Sequence, residues 1–192
     1  IRIADNIETR LAGDGGKYVT GYASTFDSRY TLYDDGQYVI DEAITRDAFD
    51  ECDMADVIMQ YNHEGHVYAR KRNQTLEVET DEHGLKINAR LDGTEIGNQL
   101  YEEIKGGYTD RMSIGFKVGK EERTVEKDQE NGRIYLHRTI TKVRKLYDVS
   151  AVSLPANGTT EISARAYCDG LIAEVKAERP AAEQRARKRE II

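Results

Sequence analysis

Ser113, His63 and Asp148 are the residues whose types and settings could do chemistry together. Ser113 lies in Arg-Met-Ser-Ile-Gly-Phe (111–116), His63 in Tyr-Asn-His-Glu (61–64), and Asp148 in Leu-Tyr-Asp-Val-Ser (146–150). A serine hydroxyl is a weak nucleophile at neutral pH until a base takes its proton, and an imidazole held by a carboxylate is such a base. Any chain of this length contains the three types somewhere. Their settings decide.

Residues 111–118 alternate as a strand does. Met112, Ile114, Phe116 and Val118 share an apolar face, while Arg111, Ser113, Gly115 and Lys117 share the other. Ser113 is therefore not core filler, and Gly115 leaves room for a backbone to approach. A serine on a solvated strand face has the same pattern, so the face alone does not separate the two readings. His63 follows an apolar strand and enters a polar exit loop, the kind of rigidly held position where catalytic groups gather. A surface histidine at a strand end fits equally. His66, His83 and His137 compete on composition, His83 from a hairpin turn. Asp148 shares its phase with Leu146, Ser150, Val152 and Leu154. A carboxylate on so apolar a face needs a partner, either an imidazole or a structural cation.

Other chemistries fit less well. Ser113 has no G-x-S-x-G around it, which speaks against a strand-to-helix nucleophile elbow. Cys52 falls on the buried side of a predicted helix, where a thiol serves as a small hydrophobe. The four histidines form no H-E-x-x-H, and Asp34-Asp35 reads as a turn. No cofactor and no metal site is expected.

The elements that must position these groups are mostly strands. Residues 17–26, 56–61, 75–79, 85–91, 111–118, 133–141 and 145–154 read as strands, with 75–79 and 85–91 joined as a hairpin through Asp81–Gly84. Two tyrosine-rich pieces flank a turn at Asp34-Asp35-Gly36. Thr45 can cap a short helix through Ala48, Phe49 and Cys52. Thr94 caps a second, with Ile96, Leu100, Tyr101 and Ile104 at helical spacing and Gly106-Gly107 at its end. Lys120 to Gly132 reads as an exposed loop, and Pro155 ends the last strand. Leu171, Ile172 and Val175 suit a short amphipathic helix. The helices are too few for alternating βαβ units. The expected fold is mostly β with a few helices: a small, largely antiparallel β-barrel surrounded by helices. A domain over 1–166 and a charged, helical or disordered tail over 167–192 are expected.

At 192 residues the chain can bury a real core, and its net charge of -7 argues against general nucleic-acid binding. Cys52 and Cys168 lie far apart and suggest neither a zinc site nor a disulfide framework, as in a reducing compartment. No apolar run reaches the roughly 20 residues that span a bilayer, and no signal peptide is visible.

Taken in order, Asn62-His63, Gly84-Leu85, Met112-Ser113-Ile114-Gly115-Phe116, and Asp148-Val149-Ser150 through Pro155-Ala156-Asn157 resemble the prohead (capsid maturation) serine proteases of tailed phages, a family similar in fold to the herpesvirus assembly proteases. The resemblance runs from about Tyr18 to Ala164. It implies a serine endopeptidase with His63 as base, Ser113 as nucleophile and an acid before Val149-Ser150. The family usually has Glu there; Asp148 is one methylene shorter, so its contact with the histidine is expected to need a backbone shift or a water. The herpesvirus relatives use a second histidine, which makes His137 the runner-up third member. Arg111 and Arg144 are candidates for the oxyanion side.

The implied partners are the major capsid protein and scaffold segments as substrates, with the enzyme itself also cut, inside the assembling procapsid in the host cytoplasm. No specific nucleic acid and no membrane are expected; a homo-oligomer is compatible. The charged tail suits a targeting or self-cleaved segment as well as a plain solubilising one. The competing readings are a catalytically inactive capsid-assembly or scaffold-binding module, and a hydrolase of small esters.

Overall fold

Apolar residues at alternate positions give β2 (Lys17–Thr25) and β8 (Gly84–Arg90) one buried face each, and the two pair antiparallel with Val19 opposite Ala89 and Gly21 opposite Ile87. The structure, a computed structural model, describes residues 7–153 and 167–177. β1 (Glu8–Leu11) beside β2 and β7 (Leu76–Thr80) beside β8 complete a four-stranded sheet ordered β1-β2-β8-β7. The β7–β8 hairpin is the one expected. Its turn is held by Asp81, whose Oδ1 accepts the amide protons of His83 at 2.8 Å and Gly84 at 3.0 Å.

The second sheet contains β3 (Tyr30–Asp34), β4 (Tyr38–Ile44), β5 (Ile58–Tyr61), β6 (Glu64–Arg70), β9 (Arg111–Lys127) and β10 (Ile134–Val152). Its order is β3-β4-β10-β5-β6, and β9 also pairs with β10. β5 runs parallel to β10, with Ile58 opposite Asp148 and Tyr61 opposite Ala151. That register brings the end of β5 level with the Asp148–Ala151 stretch. α1 (Glu95–Lys105) begins as expected: the Thr94 hydroxyl oxygen accepts the Gly97 amide proton at 3.0 Å, and Leu100, Tyr101 and Ile104 are buried.

The described residues group into two compact units. The larger draws on the described stretches 7–30, 42–122 and 138–153 and holds a core that includes Val19, Leu85, Met59, Met112, Ile140 and Leu146. The smaller is built from Thr31–Asp41, Arg123–His137 and the helix α2 (167–177). Its own core packs Cys168, Leu171, Ile172 and Val175 with Tyr33, Tyr38, Ile40, Ile134 and Leu136. The helix expected around Leu171 is thus present, and the strand end at Pro155 and the tail beyond 177 lie outside the described residues.

Several expectations are corrected. Both sheets are open among the described residues, so the expected closed barrel is not formed. The predicted loop from Lys120 belongs to β9 as far as Lys127. Nearly all of that arm is exposed, so it carries no apolar alternation to betray a strand. The strands predicted at 133–141 and 145–154 are one strand, β10. The helix predicted after Thr45 is only a 3₁₀ turn over Arg46–Phe49 that buries Ala48 and Phe49; the Thr45 hydroxyl caps nothing and is buried without a partner. The polar exit loop after His63 is β6.

Gly84 explains one of the short sequence marks. A Cβ there would lie 2.1 Å from the Ser24 carbonyl oxygen, backbone that cannot swing aside. Gly84→Ala is expected to lower the unfolding free energy by roughly 1–3 kcal/mol, read from urea denaturation. An unchanged midpoint would mean that β2 and β8 separate here at no cost.

Candidate active site

β5 and β6 are joined by two residues, Asn62 and His63, with Tyr61 opposite Glu64. Both turn residues have positive φ, 52° and 61°, as a type I′ hairpin turn requires. Asparagine tolerates this region; the second seat is ordinarily glycine, and an L-residue with a larger side chain gives up roughly 1–2 kcal/mol there. The turn is held from two sides. The Asn62 amide donates to the Ala151 carbonyl at 3.0 Å, and the Ser153 amide donates to Asn62 Oδ1 at 3.3 Å. At the open end of the hairpin, Arg70 Nε and Nη2 donate to the two Asp56 oxygens at 2.8 and 2.5 Å. That guanidinium holds the Asp56 carboxyl below the usual carboxylate range.

Ser113 sits on regular β9 strand, with Met112 and Ile114 buried on the opposite face, as alternation requires. Asp148 projects from β10 and is 8% exposed. The structure brings all three residues together. His63 Nδ1 lies 2.6 Å from Asp148 Oδ1, and His63 Nε2 lies 2.8 Å from Ser113 Oγ. A carboxylate can only accept, so Nδ1 carries the proton and Nε2 is left to accept from the serine hydroxyl. Asp148 reaches the imidazole directly, without the bridging water expected as one way to reach it with a shorter side chain. The side chains of His63 and Asp148 are 26% and 11% exposed, so the acid is shielded while the imidazole remains open to an incoming molecule. Gly115 makes this possible, because a Cβ there would stand 1.9 Å from Asp148 Oδ2. The room read as space for a substrate backbone is occupied by the acid.

The other candidates are His137, Arg111, Arg144 and Cys52. His137 pairs through Nδ1 with Asp41 at 2.6 Å, within the smaller unit. Arg111 shares the Ser113 face and has its Nε 3.7 Å from Asp110. Arg144 is exposed on β10. Cys52 packs half-buried against the core, and burial pushes its thiol up, away from thiolate chemistry. The residues that sequence reasoning passed over are Gly115 as the seat of the acid and Asn62 as the anchor of the turn. Asn between two β-forming runs was the available signal for the latter.

A serine, an imidazole and a shielded carboxylate in line are the groups that serine-type hydrolysis requires. The chain belongs to the caudovirus prohead serine protease family, whose family model matches residues 5–170. Membership of that family implies a serine peptidase and suggests a part in capsid maturation. No curated protein and no solved structure matches the chain.

The left-handed seat of His63 has a measurable consequence. His63→Gly is expected to be more stable than His63→Ala by about 1 kcal/mol, although both lose the imidazole. Equal denaturation midpoints would show that the turn imposes no backbone strain.

Proposed function

We propose that this chain is the endopeptidase that cuts scaffold or scaffold-like coat-protein segments, and itself, within the assembling procapsid. The observation that carries the reading is the unbroken hydrogen-bond line from Asp148 through His63 to Ser113, assembled from three separate segments at 2.6 and 2.8 Å. Ser113 Oγ attacks the scissile carbonyl carbon while His63 Nε2 takes its proton. The imidazolium that forms is stabilised by Asp148, which keeps its negative charge. His63 then gives the proton to the leaving amine, the C–N bond breaks, and an ester links the substrate's acyl part to Ser113. Water, activated by the same imidazole, hydrolyses that ester and restores the site.

An acid set away from solvent matters for the rate. Attraction between Asp148 and the imidazolium is screened less than it would be in water, so the charge created in the transition state meets a prearranged partner. Within an assembling phage capsid, such a protease removes internal protein, which makes maturation irreversible and frees volume for the genome. Among the described residues no helix is long and apolar enough to cross a membrane.

Ser113→Ala and His63→Ala are each expected to abolish processing while the protein stays folded, followed by intact mass over a time course of the purified chain with coat and scaffold protein. Normal processing by folded Ser113→Ala would remove the assignment. Asp148→Asn presents the wrong tautomer to the serine and is expected to slow turnover by roughly 10⁴-fold. Gly115→Ala leaves all three groups in the sequence but displaces the acid. A loss of about 10²-fold or more is expected, and full activity in that variant would mean that Asp148 is not needed where it lies.

A further inference from the structure

Asp148 Oδ1 accepts a second hydrogen bond, from Ser150 Oγ at 2.7 Å. Ser150 is two residues along β10 on the same face, and it is fully buried at 0% exposure. We infer that Ser150 is a positioning residue that fixes the Asp148 carboxylate for His63, extending the line to Ser113–His63–Asp148–Ser150. The inference rests on the serine-peptidase reading of the site.

The geometry leaves the carboxylate few alternatives. Oδ1 is shared by the imidazole and the Ser150 hydroxyl, 2.6 and 2.7 Å away. Oδ2 occupies the volume that any Cβ at position 115 would fill. A partial rotation about the Cβ–Cγ bond would swing Oδ1 away from the imidazole. A hydroxyl donating to Oδ1 opposes that rotation. Apolar residues line the same face on either side, Leu146 before and Val152 after, both buried. A serine in that row is out of keeping with simple packing, since a buried hydroxyl without a partner is unfavourable. Its proton goes to the one acid that the site uses.

The test uses the full chain and a fluorophosphonate probe. Ser113 Oγ attacks the probe's phosphorus, fluoride leaves, and the serine proton passes to His63, so the labelling rate reports activation of the nucleophile without a known substrate. Ser150→Ala is expected to lower the maximal labelling rate roughly 10- to 100-fold while the probe concentration at half-maximal rate stays unchanged. In an Asp148→Ala background the same change is expected to have less than about a twofold effect, because a residue acting through Asp148 has nothing left to position.

Equal losses in both backgrounds would mean a merely structural role and overturn the inference, as would no loss in the wild-type background. Should Ser150→Ala fail to fold by thermal melt, Ser150→Cys, close in volume and a poor donor, is read in the same two backgrounds. Ser113→Ala serves as the control. Labelling that persists in it would sink the serine-peptidase reading itself, whereas loss of labelling there with no effect at Ser150 sinks only the positioning role.

Discussion

A carboxylate shielded from water on the apolar face of β10 is the constraint on which the site depends. Burying an ionised group is unfavourable unless hydrogen-bonded partners replace its water. Asp148 has two such donors, His63 and Ser150, and a glycine opposite that leaves it space. Removing any of the three does more than delete a contact, because the acid would then be both desolvated and poorly held. The arrangement is self-consistent in one geometry, and that geometry points an unprotonated imidazole nitrogen at Ser113.

Strain is distributed unequally among the segments that carry the three residues. Ser113 occupies ordinary extended backbone, whereas His63 takes a left-handed conformation that a histidine adopts against its own preference. Ser113, on a regular strand, is fixed by the core packing of Met112 and Ile114 on the reverse face. His63, at the tip of a two-residue turn, has no such reverse face. It is held instead by the Asn62 amide, which donates to Ala151 of β10, the strand that also carries the acid, and by the Ser153 amide, which donates to the Asn62 side chain. Base and acid are therefore referenced to the same strand, which limits the error in their separation.

The fold and the site were legible in the sequence where local periodicity governs. Alternation assigned Ser113 to the face opposite Met112, and phase placed Asp148 on the apolar side of its strand, where a partner was required. Thr94 and the spacing of Leu100, Tyr101 and Ile104 located α1. What could not be read was pairing between distant segments. The parallel register of β5 with β10 brings His63 over Asp148, yet nothing near residue 58 records that residue 148 will lie opposite. The exposed arm of β9 was hidden because a strand wet on both faces has no apolar period. Glu64 to Val67 was hidden for the same reason. The turn itself lacked the glycine that usually announces it, and histidine stands where that glycine would be.

A second set of buried charges shows the same logic without catalysis. Arg138 on β10 donates through Nη1 to Glu42 of β4, and through Nε and Nη2 to Glu121 of β9 at 2.6 and 2.5 Å. The Tyr30 hydroxyl also donates to Glu42. Tyr30, Glu42, Glu121 and Arg138 all lie within a residue or two of the points where the chain leaves or re-enters the larger unit. Such a network adds little net stability over an apolar equivalent, but it penalises every register in which one member loses its partner. Fixing Arg138 against two glutamates ties the register of β10 at one end. Pairing with β5 ties it at the other, where Asp148 must meet His63. An error of one residue between those ties would turn Asp148 away from the imidazole. The charge cluster and the Asp148–His63–Ser113 line are thus two constraints on the alignment of one strand.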